Sequence, residues 1–366
     1  MKNHTKTHVI ILTKLIKDGI GSMTINILKM TNHNDFKFTI VTDRETDSYY
    51  DSLCKKMGID IISLPNRKKH PLHFYRNLRR TIKQSSCDIL HINGNSALML
   101  PEVLIGKKCK VKKIITHCHN TSCNHKIFHY ISRPLFNALP ITRLACGTDA
   151  GKWAYGTNHF TVIKNGIETS RFAYNPNLRL NIRHQYNIKD STFVIGHIGH
   201  FNQTKNQKYL IDLLENLYRS SHTDIKLMLI GNGEEYNNIK AYASKMNCKG
   251  NIIFTGIVNN PSDYYNAFDL FAMPSLHEGM PITLIEAQAN GINCLVSTGI
   301  TKEINYTNHC KYLSLAEKDT WVKAILESKN SNKSSRNIQS KNNIEILKKN
   351  GYDITTSVKN LERKYI

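Results

Sequence analysis

Apolar and polar positions alternate in a repeating pattern along the whole chain. Short apolar runs rich in β-branched residues end in glycine or polar residues, and each is followed by a segment with apolar residues at helical spacing. A first series of such runs comprises His8–Leu12, Phe38–Thr42, Ile59–Leu64, Ile89–Ile92, Lys113–Thr116, Leu144–Ala145 and Thr161–Ile163. A second series comprises Phe193–Ile198, Ile225–Ile230, Ile252–Phe254, Leu270–Met273, Cys294–Val296 and Tyr312–Leu313. This alternation predicts two Rossmann-like α/β domains with parallel sheets.

The segment VIKNGIETSRF, which begins at Val162, separates the two series. It contains the turn dipeptide Asn165-Gly166, and few apolar residues follow it before the second series begins. We therefore expect an N-terminal domain at 1–165 and a C-terminal domain at 166–343. Because ligands of open parallel sheets bind beyond the carboxyl ends of the strands, we expect the loops after the strands to converge on a cleft between the domains.

The last part of the chain has a different composition. Residues 328–343, SKNSNKSSRNIQSKNN, are polar and low in complexity, which predicts a mobile loop or linker. A C-terminal helix is expected at 344–366, packed back on the N-terminal domain.

Length and composition agree with this organisation. A chain of 366 residues with 40% apolar content is long enough for two cores. Its nine cysteines are odd in number and irregularly spaced, so we expect reduced thiols and a cytoplasmic protein instead of a disulfide framework. No stretch approaches the roughly 18 apolar residues of a spanning helix. Peripheral attachment to a membrane remains open.

Positive charge is concentrated in the first half of the chain. The formal net charge is +22, and residues 1–165 hold 26 Lys/Arg against 10 Asp/Glu, compared with 24 against 18 in the remainder. Seven basic and no acidic residues lie in Arg67–Lys83, among aromatic and aliphatic residues, and five lysines lie in Lys107–Lys113. This pattern fits an anionic membrane surface or a phosphorylated substrate. Nucleic acid and an ordinary solvated helix face are the alternatives, and charge alone does not separate them.

The segment PSLHEGMPITLIEAQANG, which begins at Pro274, carries two glutamates at the start of a predicted helix. Proline is favoured at the first helical position, and Pro281 fits it. Glu278 then lies beside free backbone N–H groups at the positive end of the helix, and Glu286 lies about a turn and a half inside it. Such a pocket suits a phosphate and sugar hydroxyls. The simpler interpretation is a capping carboxylate and a solvated helix glutamate.

Three other glycine-containing loops follow predicted strands. Asp18-Gly19-Ile20-Gly21-Ser22 opens a helical pattern, where glycines either let the backbone approach a phosphate or form a tight structural turn. In Gly199-His200-Phe201-Asn202-Gln203-Thr204-Lys205, the lysine either neutralises a diphosphate or is one more surface lysine. The loop Gly231-Asn232-Gly233-Glu234 is most simply a structural turn.

The fifth strand runs into Thr116-His117-Cys118-His119-Asn120. Polar groups at the carboxyl end of a strand can orient a substrate hydroxyl or carbonyl. With Cys123 and His125 they also form a dense His/Cys cluster, for which a metal is the competing interpretation. The sequence has neither the two-plus-two ligand grouping of a structural zinc site nor an H-E-x-x-H helix, so we expect no metal.

Taken in this order, the segments resemble the retaining nucleotide-sugar glycosyltransferases of family 4, which have the two-Rossmann GT-B architecture, especially bacterial enzymes of capsule, exopolysaccharide and O-antigen synthesis. VIKNGIETSRF resembles the family's I-P-N-G-I-D-x-x-x-F segment, with Lys164 where proline is usual, and IGHFNQTKN resembles G-R-F-x-x-x-K-N. IIFTGIVNN and DYYNAFDLFAMPSLHEGMPITLIEAQANG resemble the donor-binding core. The similarity extends over most of residues 8–315 and is strongest at 252–298.

The resemblance implies roles for the residues that match. Glu278 would contact the donor sugar hydroxyls, Lys205 would stabilise the leaving phosphate, and His119 would lie beside the donor sugar, although the nearby His117 leaves that register open. Gly21 would let the first domain close on the diphosphate, and Glu286 would hold the ribose. The implied donor-binding set is Gly21, His200, Gly256, Ile257, Gly279, Met280 and Glu286.

Position 200 departs from the family pattern, because a histidine stands where arginine is usual. Histidine is charged only part of the time near neutral pH and offers less fixed charge to the departing diphosphate. Either hydrogen bonding by His200 suffices, another group compensates, or the enzyme is weak.

The resemblance implies transfer of a sugar, with retention of configuration, from a nucleotide sugar to a glycan or a polyprenyl-diphosphate-linked glycan. It favours a UDP-sugar over a GDP-sugar and requires no cofactor or metal. We expect a cytoplasmic enzyme, peripheral on the inner face of the cytoplasmic membrane, with Arg67–Lys83 near anionic lipid and no nucleic-acid partner. A sugar phosphorylase or sugar-phosphate synthase of the same fold and a non-catalytic basic scaffold are the alternatives.

Overall fold

The computed structural model describes residues 6–16, 19–331 and 335–366. They form two compact units, one made of the chain up to Gly166 together with Ile354–Ile366, the other of Ile167–Asp353. Each unit contains one parallel β-sheet with helices. The predicted α/β class with two Rossmann-like sheets is confirmed, and every predicted strand overlaps an observed one.

The N-terminal unit contains a seven-stranded sheet in the order β3-β2-β1-β4-β5-β6-β7. Its strands are β1 Thr7–Leu12, β2 Phe36–Thr42, β3 Asp60–Ser63, β4 Ile89–Gly94, β5 Lys113–Cys118, β6 Thr142–Ala145 and β7 Thr161–Val162. The helices between them are α1 Gly19–Met30, α2 Ser48–Lys56, α3 Pro71–Ser85, α4 Leu100–Lys108, α5 Lys126–Ala138 and α6 Thr148–Tyr155. Strand order reverses between β1 and β4, and ligands bind at such a switch point in open α/β sheets.

The C-terminal unit contains a six-stranded sheet in the order β10-β9-β8-β11-β12-β13. Its helices are α7 Pro176–Gln185, α8 Gln207–Arg219, α9 Tyr236–Ala243, α10 Pro261–Tyr265, α11 Ile282–Ala289, α12 Lys318–Asn330 and α13 Arg336–Lys349. Its strands are β8 Phe193–Ile198, β9 Ile225–Ile230, β10 Ile252–Gly256, β11 Leu270–Met273, β12 Cys294–Ser297 and β13 Cys310–Leu313. Here the order reverses between β8 and β11.

The continuous apolar runs form central strands because both faces of each sheet are covered. All six residues of β8 are buried. In the C-terminal unit the buried side chains form two hydrophobic clusters, one including Phe268 and Phe271 and the other including Leu214 and Trp321. Strands buried on both faces lose the apolar–polar alternation of a half-exposed strand.

The end of the chain differs from the prediction, because two helices form there. The polar segment 328–343 contains the end of α12 and the first half of α13 outside residues 332–334, which lie beyond the described part of the chain. The polar side chains of α13 make buried hydrogen bonds, as in the 2.8 Å bond from Asn343 Nδ2 to the Gln288 carbonyl. Composition therefore predicted a loop where tertiary hydrogen bonds stabilise a helix. The last helix, α14 Ile354–Tyr365, belongs to the N-terminal unit and contacts α1.

The basic segment Arg67–Lys83 is divided between core and solvent. Phe74, Leu78 and Ile82 are buried, so three of the apolar side chains expected to interleave with the charges face the core of the N-terminal unit. The other basic side chains of the segment remain outside, with Leu72 exposed beside them, whereas Arg67 forms an ion pair with the buried Glu102. The segment therefore presents charge with little apolar surface.

All nine cysteines are free thiols, and eight are buried. Across residues 6–16, 19–331 and 335–366, no helix is both long and apolar enough to cross a bilayer.

Candidate functional site

Two loops of the C-terminal unit lie side by side at its switch point. One follows β8 and contains Lys205, and the other follows β11 and contains Glu278. The Leu276 N–H donates to the Thr204 carbonyl at 2.8 Å, and Asn206 Nδ2 donates to the Pro274 carbonyl at 3.2 Å. These two hydrogen bonds hold the loops together. The loops are close in space because β8 and β11 are neighbours in the sheet, although they are distant in sequence.

Lys205 and Glu278 form an ion pair across these loops, from Nζ to Oε1. Both side chains are largely buried, with 18% and 15% of their surfaces exposed. Glu278 Oε1 also accepts a 2.9 Å hydrogen bond from Ser275 Oγ, while the Lys205 N–H donates to Asn202 Oδ1 at 2.9 Å. The structure thus brings together the two residues to which the sequence assigns opposite charges and adjoining roles.

The glutamate loop is shaped by close backbone packing. The Glu278 N–H donates to the Gly299 carbonyl at 3.3 Å, and Ser297 Oγ donates to the Ser275 carbonyl. A Cβ at Gly299 would lie 2.0 Å from the Leu276 carbonyl oxygen, so glycine is required there. These contacts hold the Glu278 carboxylate at the edge of the sheet.

Helix α11 starts one residue later than predicted. Pro281 has φ −72° and ψ 110° and is the N-cap residue, so the first helical residue is Ile282. Proline at the N-cap still costs no intrahelical hydrogen bond, because the first N–H groups of a helix have no partner within it.

Glu286 lies inside α11 and is partly buried. Its Oε2 accepts a 2.6 Å hydrogen bond from the Tyr265 hydroxyl. Burial raises the pKa of the Glu286 carboxyl to about 7, against the opposing effects of the Tyr265 hydrogen bond and the Arg171 charge. Glu286 is therefore a hydrogen-bonding group whose charge changes near neutral pH, and Tyr265 fixes one of its two oxygens.

His200 lies on the exposed side of the lysine loop. Its Nε2 is 2.8 Å from Glu234 Oε2, and half of the imidazole surface is exposed. The Glu234 carboxyl has a lowered pKa, because it accepts hydrogen bonds from its own backbone N–H and from His200. The loop predicted to be a plain turn therefore supplies an acidic partner for the histidine.

That turn packs directly on the His200 loop through its glycines. A Cβ at Gly231 would lie 2.1 Å from the Gly199 carbonyl oxygen, and one at Gly233 would lie 2.3 Å from the Phe201 carbonyl oxygen. The Phe201 N–H also donates to the Asn232 carbonyl at 3.0 Å. The two glycines of the Gly-Asn-Gly sequence could have indicated this close backbone contact, because other residues would not fit there.

Four other predicted donor residues flank these loops. Gly256 ends β10 with φ +71°, a conformation that favours glycine, and the adjacent Ile257 is 56% exposed. Gly279 and Met280 lie in the loop before α11, and the Met280 sulfur accepts a 3.6 Å hydrogen bond from the Tyr352 hydroxyl. The Met280 side chain is thus turned toward the core, which leaves its backbone as the group available to a ligand.

Gly21 lies in the first turn of α1, after β1 in the N-terminal unit. A Cβ there would lie 2.1 Å from the Ile16 carbonyl oxygen, so the helix start requires a glycine. By contrast, no atom lies within 4 Å of the corresponding position at Gly19. Asp18, part of the same predicted loop, lies outside the described residues.

His119 follows β5 in the N-terminal unit. Its Nε2 lies 2.9 Å from Asn93 Oδ1, and its N–H donates to the Gly94 carbonyl at 2.9 Å. His117, two residues earlier, is fully buried in the sheet and stacks between His119 and His91, with ring centroids 4.1 and 5.6 Å away. His119 is therefore the histidine at the end of the strand, whereas His117 belongs to the interior.

Burial keeps this histidine column uncharged. It lowers the pKa of His91 and of His119 to about 3 each and that of His117 well below its ordinary value. His91 Nδ1 lies 2.7 Å from the Tyr365 hydroxyl of α14. The column offers hydrogen bonds and no positive charge.

The His/Cys-rich segment after β5 contains two buried thiols beside the histidines. Cys118 Sγ donates to the Asn120 carbonyl at 3.2 Å, and Cys118 and Cys123 are both buried. Within the described parts of the chain, no group of three or more His, Cys, Asp or Glu side chains is arranged to hold a metal ion.

The site residues thus fall into two sets. Lys205, Glu278, Glu286 and His200 belong to the C-terminal unit, and Gly21 and His119 belong to the N-terminal unit. Ser275, Tyr265 and the pairing of Glu234 with His200 were not predicted from the sequence. The position of Ser275, three residues before Glu278, could have indicated its hydrogen bond. No local sequence pattern indicates the hydrogen bond between Tyr265 and Glu286.

Comparison with known proteins gives a consistent result. Residues 179–345 match the family described as "Glycosyl transferases group 1". The capsular polysaccharide biosynthesis glycosyltransferase CapH of Staphylococcus aureus is 25% identical over 380 residues, covering 97% of each chain. The UDP-Gal:alpha-D-GlcNAc-diphosphoundecaprenol alpha-1,3-galactosyltransferase of Escherichia coli is 26% identical over 233 residues, covering 60% of each chain.

The fold matches solved structures along nearly the whole chain. The crystal structure of Anabaena Alr3699/HepE in complex with UDP-glucose superimposes with a TM-score of 0.79 at 16% identity, covering 98% of each chain. The two parallel sheets therefore form a GT-B fold, as the sequence predicted.

Proposed function

We propose that this chain, a glycosyltransferase of polysaccharide biosynthesis with a group 1 domain, transfers a sugar from a UDP-sugar to a lipid-linked glycan with retention of configuration. The observation that carries the proposal is the Lys205–Glu278 pair at the switch point of the C-terminal sheet. Such a position suits a ligand with adjoining phosphate and hydroxyl groups. The similarity to CapH, a capsular polysaccharide biosynthesis glycosyltransferase, and to HepE, whose crystal structure contains UDP-glucose, supports the same function.

The two charged groups would exchange partners when the donor binds. The Lys205 ammonium would turn from Glu278 to the diphosphate and stabilise the negative charge that develops as the sugar–phosphate bond breaks. Glu278 would then accept hydrogen bonds from the sugar hydroxyls, with Ser275 Oγ still holding Oε1. The pair keeps both side chains close to these positions before the donor arrives, which reduces the reorganisation required.

The remaining predicted residues have supporting roles in this proposal. Glu286, held by Tyr265, would bind the ribose hydroxyls, and the exposed Ile257 would flank the base. His200 would assist Lys205 at the diphosphate, with Glu234 Oε2 holding its Nε2. His119 would donate to or accept from a sugar hydroxyl as a neutral imidazole.

The acceptor proposal rests on charge and on a relative. The E. coli relative is named for an acceptor on diphosphoundecaprenol, and such an acceptor would place the enzyme at an anionic membrane surface. The exposed basic residues of Arg67–Lys83 fit that surface.

A thermal-shift panel tests the donor. UDP-glucose, UDP-galactose, UDP-N-acetylglucosamine and GDP-mannose are compared, because a ligand that binds only the native state raises Tm. We expect one UDP-sugar to raise Tm and Lys205→Met to reduce that shift. With the selected donor, NMR of the product should show the donor's anomeric configuration. An inverted product would overturn retention, and a panel without any shift would overturn the nucleotide-sugar proposal.

A further inference from the structure

Helix α5, Lys126–Ala138, exposes apolar side chains where a helix of a globular domain normally exposes polar ones. Five large apolar side chains on this one helix are at least half exposed: Ile127 at 74%, Ile131 at 69%, Phe128 at 63%, and Tyr130 and Leu135 at 53% each. Contiguous exposed apolar surface on this scale marks an interaction site.

The exposed residues share one face of the helix. At about 100° per residue, Tyr130, Ile127, Ile131, Leu135 and Phe128 fall within an arc of about 160°, to which the helix also turns Pro134 and Ala138. The buried residues His129 and Phe136 lie on the opposite side. The outer face is therefore apolar across its whole width, and no charged residue interrupts it.

The inner face is firmly attached to the N-terminal unit. The Ala97 N–H donates to His129 Nδ1 at 3.1 Å, and His129 stacks on Trp153 with ring centroids 4.0 Å apart. Phe136 stacks on Tyr155 at 5.9 Å. The apolar face consequently points outward because the helix is anchored by its other side.

The charge around α5 is positive. Residues 124–140 contain no aspartate or glutamate, and Lys126 and Arg133 lie together at one edge of the apolar arc, where Arg133 stacks on Tyr130. The helix α3 contacts α4, and α5 contacts the turn Ala97–Met99 that leads into α4. Helix α4 and the turn before it therefore connect α5 with the basic helix α3.

We propose that the outer face of α5 inserts into the interfacial layer of an anionic bilayer. An apolar arc with cations along one edge and an aromatic residue at that edge has the composition of a helix that lies in that layer. The same positive charge disfavours a second copy of this chain as the occupant, since two such surfaces repel each other. The inference rests on the proposed function for the identity of the acceptor, and it adds the element that enters the membrane.

Binding to vesicles tests the proposal with the full-length protein. The probes are vesicles of phosphatidylcholine alone and of phosphatidylcholine with phosphatidylglycerol in equal parts. The double variant Phe128→Ser/Ile131→Ser is compared with Ile338→Ser, an exposed isoleucine on α13 of the other unit. We expect the wild type and the control to bind the mixed vesicles alike and the double variant to bind at least about tenfold more weakly.

A depth measurement separates insertion from adsorption by charge. The chain has two tryptophans, of which Trp153 lies beside α5 and Trp321 is fully buried in the C-terminal unit. Because the Trp153 ring also contacts Tyr130 at the edge of the exposed face, with ring centroids 5.9 Å apart, brominated phosphatidylcholine in the mixed vesicles should quench Trp153 fluorescence in wild type. Arg79→Gln/Arg80→Gln should weaken binding and lower its salt dependence, while the bound fraction still shows quenching.

Three results would overturn the proposal: equal binding of the double variant and wild type, absence of quenching in bound wild type, or a lipid-free dimer that Phe128→Ser/Ile131→Ser dissociates. The nucleotide-sugar thermal shift serves as the independent measurement. Because the double variant leaves the donor residues of the C-terminal unit untouched, it should keep the wild-type shift. Loss of vesicle binding with an intact donor shift separates this inference from the donor proposal.

Discussion

The two sheets present opposite chemistry at their carboxyl ends. In the N-terminal unit, the edge holds Asn93 and the neutral His119, backed by buried imidazoles. In the C-terminal unit, the edge holds the ion pair of Lys205 and Glu278. The same architecture, used twice, therefore carries uncharged hydrogen-bonding groups in one case and fixed charge in the other. Burial disfavours the charged form of the imidazole of His119, whereas the lysine and the glutamate of the C-terminal edge lie against each other as an ion pair.

The largest expected effect is at Lys205. Lys205→Met removes the charge, keeps the side-chain length and leaves Glu278 hydrogen-bonded to Ser275. We expect kcat for glycosyl transfer to fall by about 10²–10³-fold, because a preorganised charge at the leaving group is lost. Steady-state kinetics with the selected donor measures this. The control Lys249→Met removes an exposed lysine of the same unit and should retain wild-type kcat. Equal losses in both variants would contradict a specific role for Lys205.

The second largest effect is expected at Gly21, which tests whether the edge of the N-terminal sheet depends on close backbone packing. Gly21→Ala places a Cβ 2.1 Å from the Ile16 carbonyl oxygen, whereas Gly19→Ala meets nothing within 4 Å. We expect the first to lower the free energy of unfolding by about 3 kcal/mol and the second to change it little. Urea unfolding of the two variants gives the comparison. If both are equally stable, the helix start is not as tightly packed as described.

The histidine column should make stability depend on pH in the acid range. Its three imidazoles have lowered pKa values in the folded state, so the unfolded chain binds more protons below its ordinary histidine pKa of about 6.5. The stability contributed by neutral burial is complete above that pH and is lost as the pH falls toward 3. Urea unfolding should therefore show a loss of up to about 2 kcal/mol for each imidazole, roughly 6 kcal/mol for the three, between about pH 7 and pH 5.

His117→Leu should reduce that loss, and the exposed His159→Asn should not. The leucine variant retains burial and removes one group that must stay uncharged. An unchanged pH slope in His117→Leu would show that the column does not control the acid response.

In the C-terminal unit, Glu286 should change stability with pH in the opposite direction from the histidine column. Its pKa is raised to about 7, so the neutral form, favoured in the folded protein, contributes stability that is complete below the ordinary glutamate pKa and is lost as the pH rises through about 7. Ribose hydroxyls donate to the carboxylate form. We therefore expect the affinity for the selected nucleotide sugar to fall by up to about tenfold as the pH decreases from about 8 to about 6. Calorimetric titration at each pH measures the slope.

Glu286→Gln is the matched variant for this measurement, because an amide of the same shape does not titrate. Its affinity should be lower at high pH and nearly independent of pH. A variant with the wild-type slope would assign the titration to another group.

The smallest effect is expected at His200. The His200–Glu234 pair is exposed on both sides, and such pairs contribute about 1 kcal/mol or less. His200→Ala should therefore reduce kcat by less than about fivefold, and His200→Arg should match or modestly exceed wild type because its charge is permanent. A loss of the size seen with Lys205→Met would place His200 at the centre of the charge chemistry.

Local patterns accounted for most of the fold but for fewer of the site contacts. Every strand was predictable, because a buried parallel strand needs an apolar run bounded by turn residues whatever its place in the sheet. The first half of helix α13 was not, since its polar side chains are satisfied by partners such as Gln288 that only folding brings near. Likewise, the exposed face of α5 looks like a core-facing helix in the sequence, and only its anchoring through His129 and Phe136 shows which side is buried.

Local sequence patterns predicted two Rossmann-like sheets and the positions of the strand–loop–helix motifs, and they marked Lys205 and Glu278 as candidate site residues. Periodicity and turn chemistry act between near neighbours in the chain and can be read directly. The tertiary structure alone decided that these two side chains form a pair, that Tyr265 holds Glu286, that Glu234 faces His200 and that the histidine column is neutral. Those properties depend on partners distant in sequence and on exclusion of water, which no local segment specifies.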